Sequence, residues 1–586
     1  MSMTSSTKTP RSLETTMNSF NAEIAKALAA TGAFAEDAAL KLISVPPDTS
    51  HGNFTIPCFS LAKTLRKAPK LIAEDLAVQV KLPAGLSKVE AVNGYLNFFI
   101  DRNFLAKETL DAIAAKGLEY GHAAPNGKVV CIDYSSPNIG KELAFHHLRS
   151  TMIGNSLARI YKAAGYKVER INHLGDWGTA FGKLIVMYLR EKLPTDDATL
   201  DALTVKELNI LYASFSKVSK EEPGLEDEAR AAFTKLEQGD EFYRKLWLAF
   251  RAATLKELMR IYDMMGVGFD HYTGESFFED KIPAVLDELR EKNLMVQSQE
   301  RDVVMLDEFD LNPCLIRKSD GSTLYATRDL AAAIYRKKEY NFDKCLYVVD
   351  LGQALHFKQV FHVLKKMGRE WYKDMYHIPF GVILQMVDGK WEKGKTRTGT
   401  ASLLRDVIEA AQKKILEFID EKNPTLENKE LIARQIGISA LTFNDLKNSR
   451  LKDVRFDWDA VMSFEGDTGP YVQNAHVRLC SIMRKAGYTV SAGEADYSQL
   501  TDDAAYNLIN ILAKKGEKIL GAVKDDEPSV LAQYALEIAE AAHKFIHEDR
   551  VLGSAEEKSR LFLVQSTQIV LENVLDLLGL FPIRQM

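Results

Sequence analysis

The chain has 586 residues, 46% of them hydrophobic and 27% charged, with a formal net charge of -6. That length accommodates about three to five domains with sizeable cores, and the acidic balance excludes a surface that is basic throughout, so any nucleic-acid contact must be a local patch. The five cysteines, Cys58, Cys131, Cys314, Cys345 and Cys480, stand far apart with no CxxC pair, which argues against a structural zinc site and for a reducing, cytoplasmic setting.

The first stretch, 1-19, is rich in Ser and Thr and is expected to be a disordered start; it lacks the apolar core of a secretory leader. Residues 20-43 then read as one amphipathic helix. "VEAVNGYLNFFI" alternates around Asn-Gly and predicts a strand or hairpin. "AAPNGK", ending at Lys128, is a linker candidate. From Val129 the pattern changes to "VVCIDYS", a short β-branched run suited to a buried parallel strand.

A helix follows, in which Ile153, Leu157, Ile160, Tyr161 and Ala164 share one face and Gly165 ends it; "YKVERINHLGDWG" opens a second strand, which completes a βαβ unit. Further strand candidates are "KCLYVVDLG" and "HIPFGVILQMV", each taken as one strand. The charged stretches near 183-244 and 280-301 read as helical insertions into the α/β sheet. From Ser402 helix dominates to the end. No apolar run is long enough to span a bilayer, so no membrane partner is expected.

Chemistry concentrates between the first strand and its helix. That loop holds Ser135, Ser136, Asn138, Lys141, His146, His147 and Arg149. In a doubly wound sheet, ligands bind beyond the carboxyl ends of strands, where helix N-termini supply unpaired N–H groups and partial positive charge for phosphate. Histidine and lysine donors there suit a transferring phosphate. A solvent-facing His-His pair is the plain alternative, and no third and fourth ligand stands at zinc spacing.

Six segments occur in order: "DYSSPNIGKELAFHHLRSTMIGNSLARI", "INHLGDWGTAFG", "GSTLYATRDLAAAIYR", "DLGQALHFKQVF", "FDWDAVMSFEGDTGPYVQNAHVRL" and "EPSVLAQYALEIAEAAHKFIHEDRVL". Together they closely resemble the class I arginyl-tRNA synthetases, and "VPPDTSHGNFTIPCFSLAKTLRKAP" resembles that family's additional N-terminal domain. The resemblance implies a Rossmann-type parallel-sheet catalytic core, an α+β N-terminal domain and an all-α C-terminal domain. It divides the chain at 20-125 (contact to the tRNA elbow), 126-388 (catalysis, with insertions near 183-245 and 275-320), 389-425 (mobile loop and stem) and 426-586 (anticodon binding). It implies arginine activation with ATP and Mg²⁺, transfer to tRNA(Arg), no structural metal, and a monomer.

The family's His-x-Gly-His signature falls on Ala144, Phe145, His146 and His147, so only His147 carries over directly. The mobile-loop signature falls on "EKGKTRTGTASLL": Thr396, Arg397 and Gly399 match, Thr398 stands where a lysine is common, and Lys393 and Lys395 are displaced. Catalytic candidates are therefore Lys141, His146, His147, Lys395 and Arg397, with His147, Thr396 and Gly399 at ATP. Resemblance puts Asp133, Ser136, Asn138, Tyr325, Asp329 and Gln353 around arginine. A planar cationic fork suits charge-assisted carboxylate contacts, and Asp329 is the expected anchor, one helical turn from Tyr325. Lys141 is favoured as the phosphate cation, the alternative being that Lys141 is solvated and Lys393, Lys395 or Arg397 swings in from the mobile loop.

Resemblance also implies tRNA contacts at Asn93, Tyr95, Asn97, Tyr471, Asn474 and Met586. Strand alternation would put the first three on one face. Two rivals stay open: a class I synthetase for another amino acid, and a synthetase-derived RNA-binding protein with weakened catalysis.

Overall fold

The computed structural model describes residues 14–46, 51–319, 323–387, 389–393 and 402–586. Helix begins at Glu14, earlier than the loose start expected for 1-19, and Glu14–Ala29 buries Phe20, Ile24 and Leu28. The single helix expected over 20-43 is two, the second being Glu36–Leu42. The break has a local cause: the Thr31 hydroxyl donates to the Leu28 carbonyl at 2.6 Å, and Gly32 turns the chain at φ +78.

β1 (Phe54–Pro57), β2 (Leu86–Val92) and β3 (Tyr95–Ile100) form an antiparallel sheet in the order β1-β3-β2. The hairpin is as the Asn-Gly pair predicts: Asn93 and Gly94 have φ of 51 and 83, the conformation that matches strand twist.

β4 (Val129–Asp133) and β5 (Lys167–Ile171) pair in parallel, joined by the helix His147–Ala163. The helical insertion near 183-244 is present as helices from Thr179 to Met265. The second insertion departs from expectation. After the helix Ile282–Glu291, the chain makes a hairpin of β6 (Met295–Ser298) and β7 (Arg301–Val304), joined antiparallel by β8 (Cys314–Arg317). Its turn is made by Gln299 and Glu300 at φ 50 and 60, residues that carry no turn signal in a sequence.

The chain then returns to the catalytic sheet. β9 (Lys344–Asp350) pairs in parallel with the other edge of β4, and β10 (Met375–Phe380) with β9, giving the order β10-β9-β4-β5. "HIPFGVILQMV" is therefore two strands. The Gly381 N–H donates to the Arg450 carbonyl, and any side chain at 381 would collide with Asp453 and Lys452. Beyond this bend β11 (Ile383–Val387) joins a different sheet, with β12 (Lys390–Lys393) antiparallel and β13 (Val454–Phe456) parallel. β13 is a short strand inside the stretch where helix was expected to dominate.

The helix His147–Ala163 is buried on almost every side. One side packs so closely on β4 that a Cβ at Gly154 would overlap Tyr134. The other side meets the C-terminal helices. There the Ser156 hydroxyl donates to the Leu577 carbonyl at 3.0 Å, and the Tyr161 hydroxyl donates to Asp526 at 2.5 Å. Arg149 is 1% exposed; its Nε lies 2.7 Å from Asp445, which is 3% exposed, and its other nitrogens donate to the Lys452 and Arg450 carbonyls.

The C-terminal tail folds back on the helix Gly469–Ala486. His476 lies buried there, with Nδ1 2.8 Å from the Ile583 carbonyl and Nε2 3.6 Å from Glu572. Burial opposes its charge, but Cys480, Glu572 and the Ile583 carbonyl outweigh it and raise its pKa to about 9.

Two outcomes follow from these buried charges. Arg149→Met strands a buried carboxylate and is expected to cost about 3–5 kcal/mol in urea unfolding, with Arg149→Met/Asp445→Leu closer to wild type than the single variant. Singles indistinguishable from wild type would show that the pair holds nothing. Because the folded pKa of His476 lies above its unfolded value of about 6.5, its stabilisation is full below that value and is lost as pH rises through about 9. Thermal melts across that window should fall for wild type and flatten for His476→Asn.

Candidate active site

From β4 the chain first crosses to β5 on one side and, after the insertions, returns to β9 on the other, so the strand order reverses there and the carboxyl ends of β4 and β9 form the crevice where doubly wound sheets take ligands. A cavity of about 220 Å³ lies there, walled by Ser135 and Ser136 after β4, Val348–Asp350 at the end of β9 and Phe380–Ile383 beyond β10. His146, His147, Arg149, Gln385 and Lys393 complete the wall.

The two serines adopt φ of 67 and 45, a conformation that costs non-glycine residues on the order of 1 kcal/mol or more each. A hydrogen-bond network fixes the first of them. The Ser135 N–H donates to the Ser150 hydroxyl, which donates to the Val348 carbonyl, while the Ser135 hydroxyl meets Tyr262 at 2.7 Å and Thr151 at 2.9 Å. The network ties the loop to both β9 and the buried helix.

The histidine pair opens that helix, and no side chain caps its N-terminus. The rings lie 4.2 Å apart. Burial, His146 and Lys141 together lower the His147 pKa to about 4. Burial and Lys393 lower that of His146. Both are therefore neutral donor–acceptors at neutral pH. The Ala144 N–H lies 3.0 Å from His147 Nδ1; if Nδ1 accepts that hydrogen bond, the free ring donor is Nε2–H.

Lys141 does not line the cavity; its ammonium sits 4.1 Å above the Tyr212 ring of the helical insertion. Lys395, Thr396, Arg397 and Gly399 lie outside the described residues. Lys393, the last residue of β12, does line the cavity, with Nζ 3.8 Å from Asp350.

The residues expected around arginine are in part already engaged. Asp329 accepts a hydrogen bond from His356 at 2.6 Å and has His173 at 4.0 Å; burial pushes its carboxyl up, but those histidines, with Arg336, outweigh it and hold it below the usual range. Asp133 is not free for a ligand. It pairs at 2.7 Å with the buried guanidinium of Arg336 and accepts the Ser136 hydroxyl at 2.7 Å. Tyr325, first residue of its helix, is 65% exposed. Asn138 and Gln353 are exposed, Asn138 bridging backbone to Gly175. Close to Asp329, Glu275 is buried with one oxygen lacking a hydrogen bond; burial raises its pKa to about 8 against the pull of Arg328, 3.6 Å away.

The expected RNA contacts divide. Asn93 and Tyr95 are exposed, but Asn97 is buried, accepting the Thr55 hydroxyl at 2.5 Å, because β3 is the central strand and β1 covers it. Tyr471 is half-buried, edge-on to His543, with Asn474 close by along the same helix. Met586 packs near Ile419, its carbonyl accepting from Asn423.

Sequence reasoning missed Asp350, Gln385, His356, His173, Glu275 and Arg336. Asp350 had a signal, since it ends a parallel strand. Glu275 and Arg336 had none, being charged residues that only packing buries. Among the described residues no group of three or more His, Cys, Asp or Glu is placed to hold a metal.

Comparison with known proteins accords with this geometry. The pattern described as "tRNA synthetases class I (R), catalytic domain" matches residues 109–458, "DALR anticodon binding domain" matches 472–586, and "Arginyl tRNA synthetase N terminal domain" matches 18–100. The chain is 46% identical over 544 residues to an arginine–tRNA ligase of Alkaliphilus metalliredigens strain QYMF, spanning 92% of this chain and 95% of that one. It superposes on the Thermus thermophilus arginyl-tRNA synthetase with a TM-score of 0.77 at 25% identity, covering 96% and 98%. A Plasmodium falciparum arginyl-tRNA synthetase shares the fold, with a TM-score of 0.78 at 24% identity over 97% and 99%.

Proposed function

The chain belongs to the class I arginyl-tRNA synthetases and is an arginine–tRNA ligase; from that premise we propose which of its residues serve each step. Arginine's carboxylate oxygen attacks the α-phosphorus of ATP, the bond to the β-phosphate oxygen breaks, and pyrophosphate leaves with the electron pair. A terminal hydroxyl of the tRNA then attacks the arginyl-adenylate. Both steps are positioning and charge stabilisation.

ATP takes the cavity at the ends of β4 and β9, an assignment supported by its place beyond the carboxyl ends of two parallel strands and by the neutral histidines in its wall. His147 donates to phosphate and His146 stands at the rim. Asp350, the carboxylate in the cavity wall, is the residue that would hold a Mg²⁺ ion accompanying ATP, and the ion would supply neutralisation of phosphate charge. Arginine lies beside it, its guanidinium on Asp329 and Tyr325, its polar backbone on Ser136, Asn138 and Gln353. Asp133 serves indirectly, by fixing Ser136.

Residues 20-125 meet the tRNA elbow through Asn93 and Tyr95, 126-388 hold the catalytic core, 389-425 supply the loop and stem, and 426-586 take the anticodon through Tyr471, Asn474 and Met586. We read the chain as a cytoplasmic monomer; five free, buried thiols support a reducing compartment.

The observation that carries the mechanism is an arginine site engaged by its own partners. Asp329 is bonded to His356, and Tyr325 faces solvent. Arginine must displace His356, and bound tRNA is the available source of that reorganisation. ATP–pyrophosphate exchange is therefore expected with arginine and tRNA together and with no other amino acid; robust exchange without tRNA contradicts this. Asp329→Asn should lower kcat/KM for arginine by about a hundredfold or more, since an unpaired buried charge costs about 3–5 kcal/mol. A loss under about tenfold moves the anchor elsewhere, Glu275 first.

A further inference from the structure

The last helix of the insertion, Glu241–Met265, turns four polar side chains toward the loops of the catalytic core. Trp247, Arg251, Thr254 and Tyr262 fall on one face of it at the helical repeat. Each meets a polar group on one of those loops. The Trp247 indole donates to the Asp176 carbonyl at 2.8 Å, and Arg251 Nε donates to the Asp176 carboxylate at 2.9 Å. The Thr254 hydroxyl accepts the Gly140 N–H at 3.0 Å. Tyr262 meets the Ser135 hydroxyl at 2.7 Å and accepts from the Asn172 side chain at 3.2 Å.

Asp176 is where these contacts converge. It is fully buried, and its carboxylate also accepts the N–H and the hydroxyl of Ser276, each at 2.9 Å. Ser276 follows Glu275, whose N–H donates to the Leu174 carbonyl. Gly274 lies so close that a Cβ there would overlap the carboxylate. On the other side, Gly175 exchanges backbone bonds with the loop of Asn138: its carbonyl accepts the Ile139 N–H, and its N–H donates to the Pro137 carbonyl. One carboxylate thus ties the insertion to the Glu275 turn and, through its neighbour, to Asn138.

We propose that Asp176 is a positioning residue for arginine: without touching the amino acid, it sets the wall of the arginine site by tying the Glu275 turn and the Asn138 loop to the helical insertion. The proposal rests on the reading that arginine lies on Asp329. The position calls for a group that only accepts. Arg251 and both groups of Ser276 aim donors at it, and an amide there would turn an NH2 toward a donor. The turn also has to be held. Burial, Asp329 and Asp176 raise the Glu275 pKa to about 8 against the pull of Arg328, so the turn sits among carboxyls that disfavour its charge. The bonds from Ser276 to Asp176 keep it there.

The test is aminoacylation by the full chain at saturating ATP and tRNA, with arginine varied. Asp176→Asn is expected to raise arginine KM by about tenfold or more, since a small misplacement of a binding wall costs at least that, while ATP KM and kcat stay within about twofold. Ser276→Ala keeps its N–H bond and the Arg251 pair, and should shift arginine KM the same way by less. Arg251→Met should raise it too, with Arg251→Lys recovering most of the loss. An arginine KM within about twofold of wild type in Asp176→Asn overturns the proposal. So does an equal rise in arginine and ATP KM with a lower melting temperature, which makes Asp176 a residue of the fold alone. If Asp176→Asn does not fold, Ser276→Ala and Arg251→Met decide, and an unchanged arginine KM in both overturns it. Asp329→Asn, run in parallel, separates the two readings. If it leaves arginine use unchanged, the arginine site lies elsewhere and the proposal falls with it; a large Asp329→Asn loss beside an unchanged Asp176→Asn overturns the proposal alone.

Discussion

Burial of the helix His147–Ala163 is the constraint on which the rest depends. A surface helix of an α/β sheet spends one face on the sheet and leaves the other in water. Here the second face is covered by the C-terminal helices, so the catalytic core and the RNA-binding region share a wall. That enclosure forces Arg149 into a dry interface, where it is tolerable only because Asp445 and two carbonyls meet it. The same pairing aligns the helix N-terminus, and with it the histidine pair and the strained serine loop. A shift of the C-terminal helices would reach the cavity through one rigid element.

Three of the charged groups expected at the substrate sites are already engaged within the chain. A guanidinium from Arg336 occupies Asp133, an imidazole occupies Asp329, and a tyrosine ring holds Lys141. Each contact satisfies a polar group that would otherwise be costly to leave alone. Each must also be exchanged or respected when arginine and ATP bind. The pair at Asp133 is a buried one, with both side chains almost fully out of water. The contact at Asp329 is of another kind, a hydrogen bond from an imidazole whose charge is not permanent.

Local patterning made much of this legible. The Asn-Gly hairpin, the βαβ unit and the C-terminal helices follow from alternation, helical spacing and turn chemistry, and the structure has them. Errors fell where local signals were silent. Gln299 and Glu300 form a left-handed turn without glycine or asparagine, so β6 and β7 read as helix. Gly381 bends a continuous apolar run because Arg450 and Asp453, distant in sequence, take its backbone groups. Asn97 alternates correctly with Tyr95 yet is buried, because whether a strand is central or at an edge depends on β1.

By itself the sequence determined the kind of chemistry. The order of its six motifs resembles the arginyl-tRNA synthetases, and that resemblance is what implied an arginine-activating, ATP-using core; residue types and spacing alone pointed no further than a phosphate site where a strand ends and a helix begins. Only the tertiary structure decided which charges are free to act. Lys141 stands over Tyr212, Asp133 pairs with Arg336, Lys393 lies near Asp350 and Glu275 near Arg328, all contacts between segments tens to hundreds of residues apart. A charge's availability depends on what desolvates and pairs it, and that information is not carried by its neighbours along the chain.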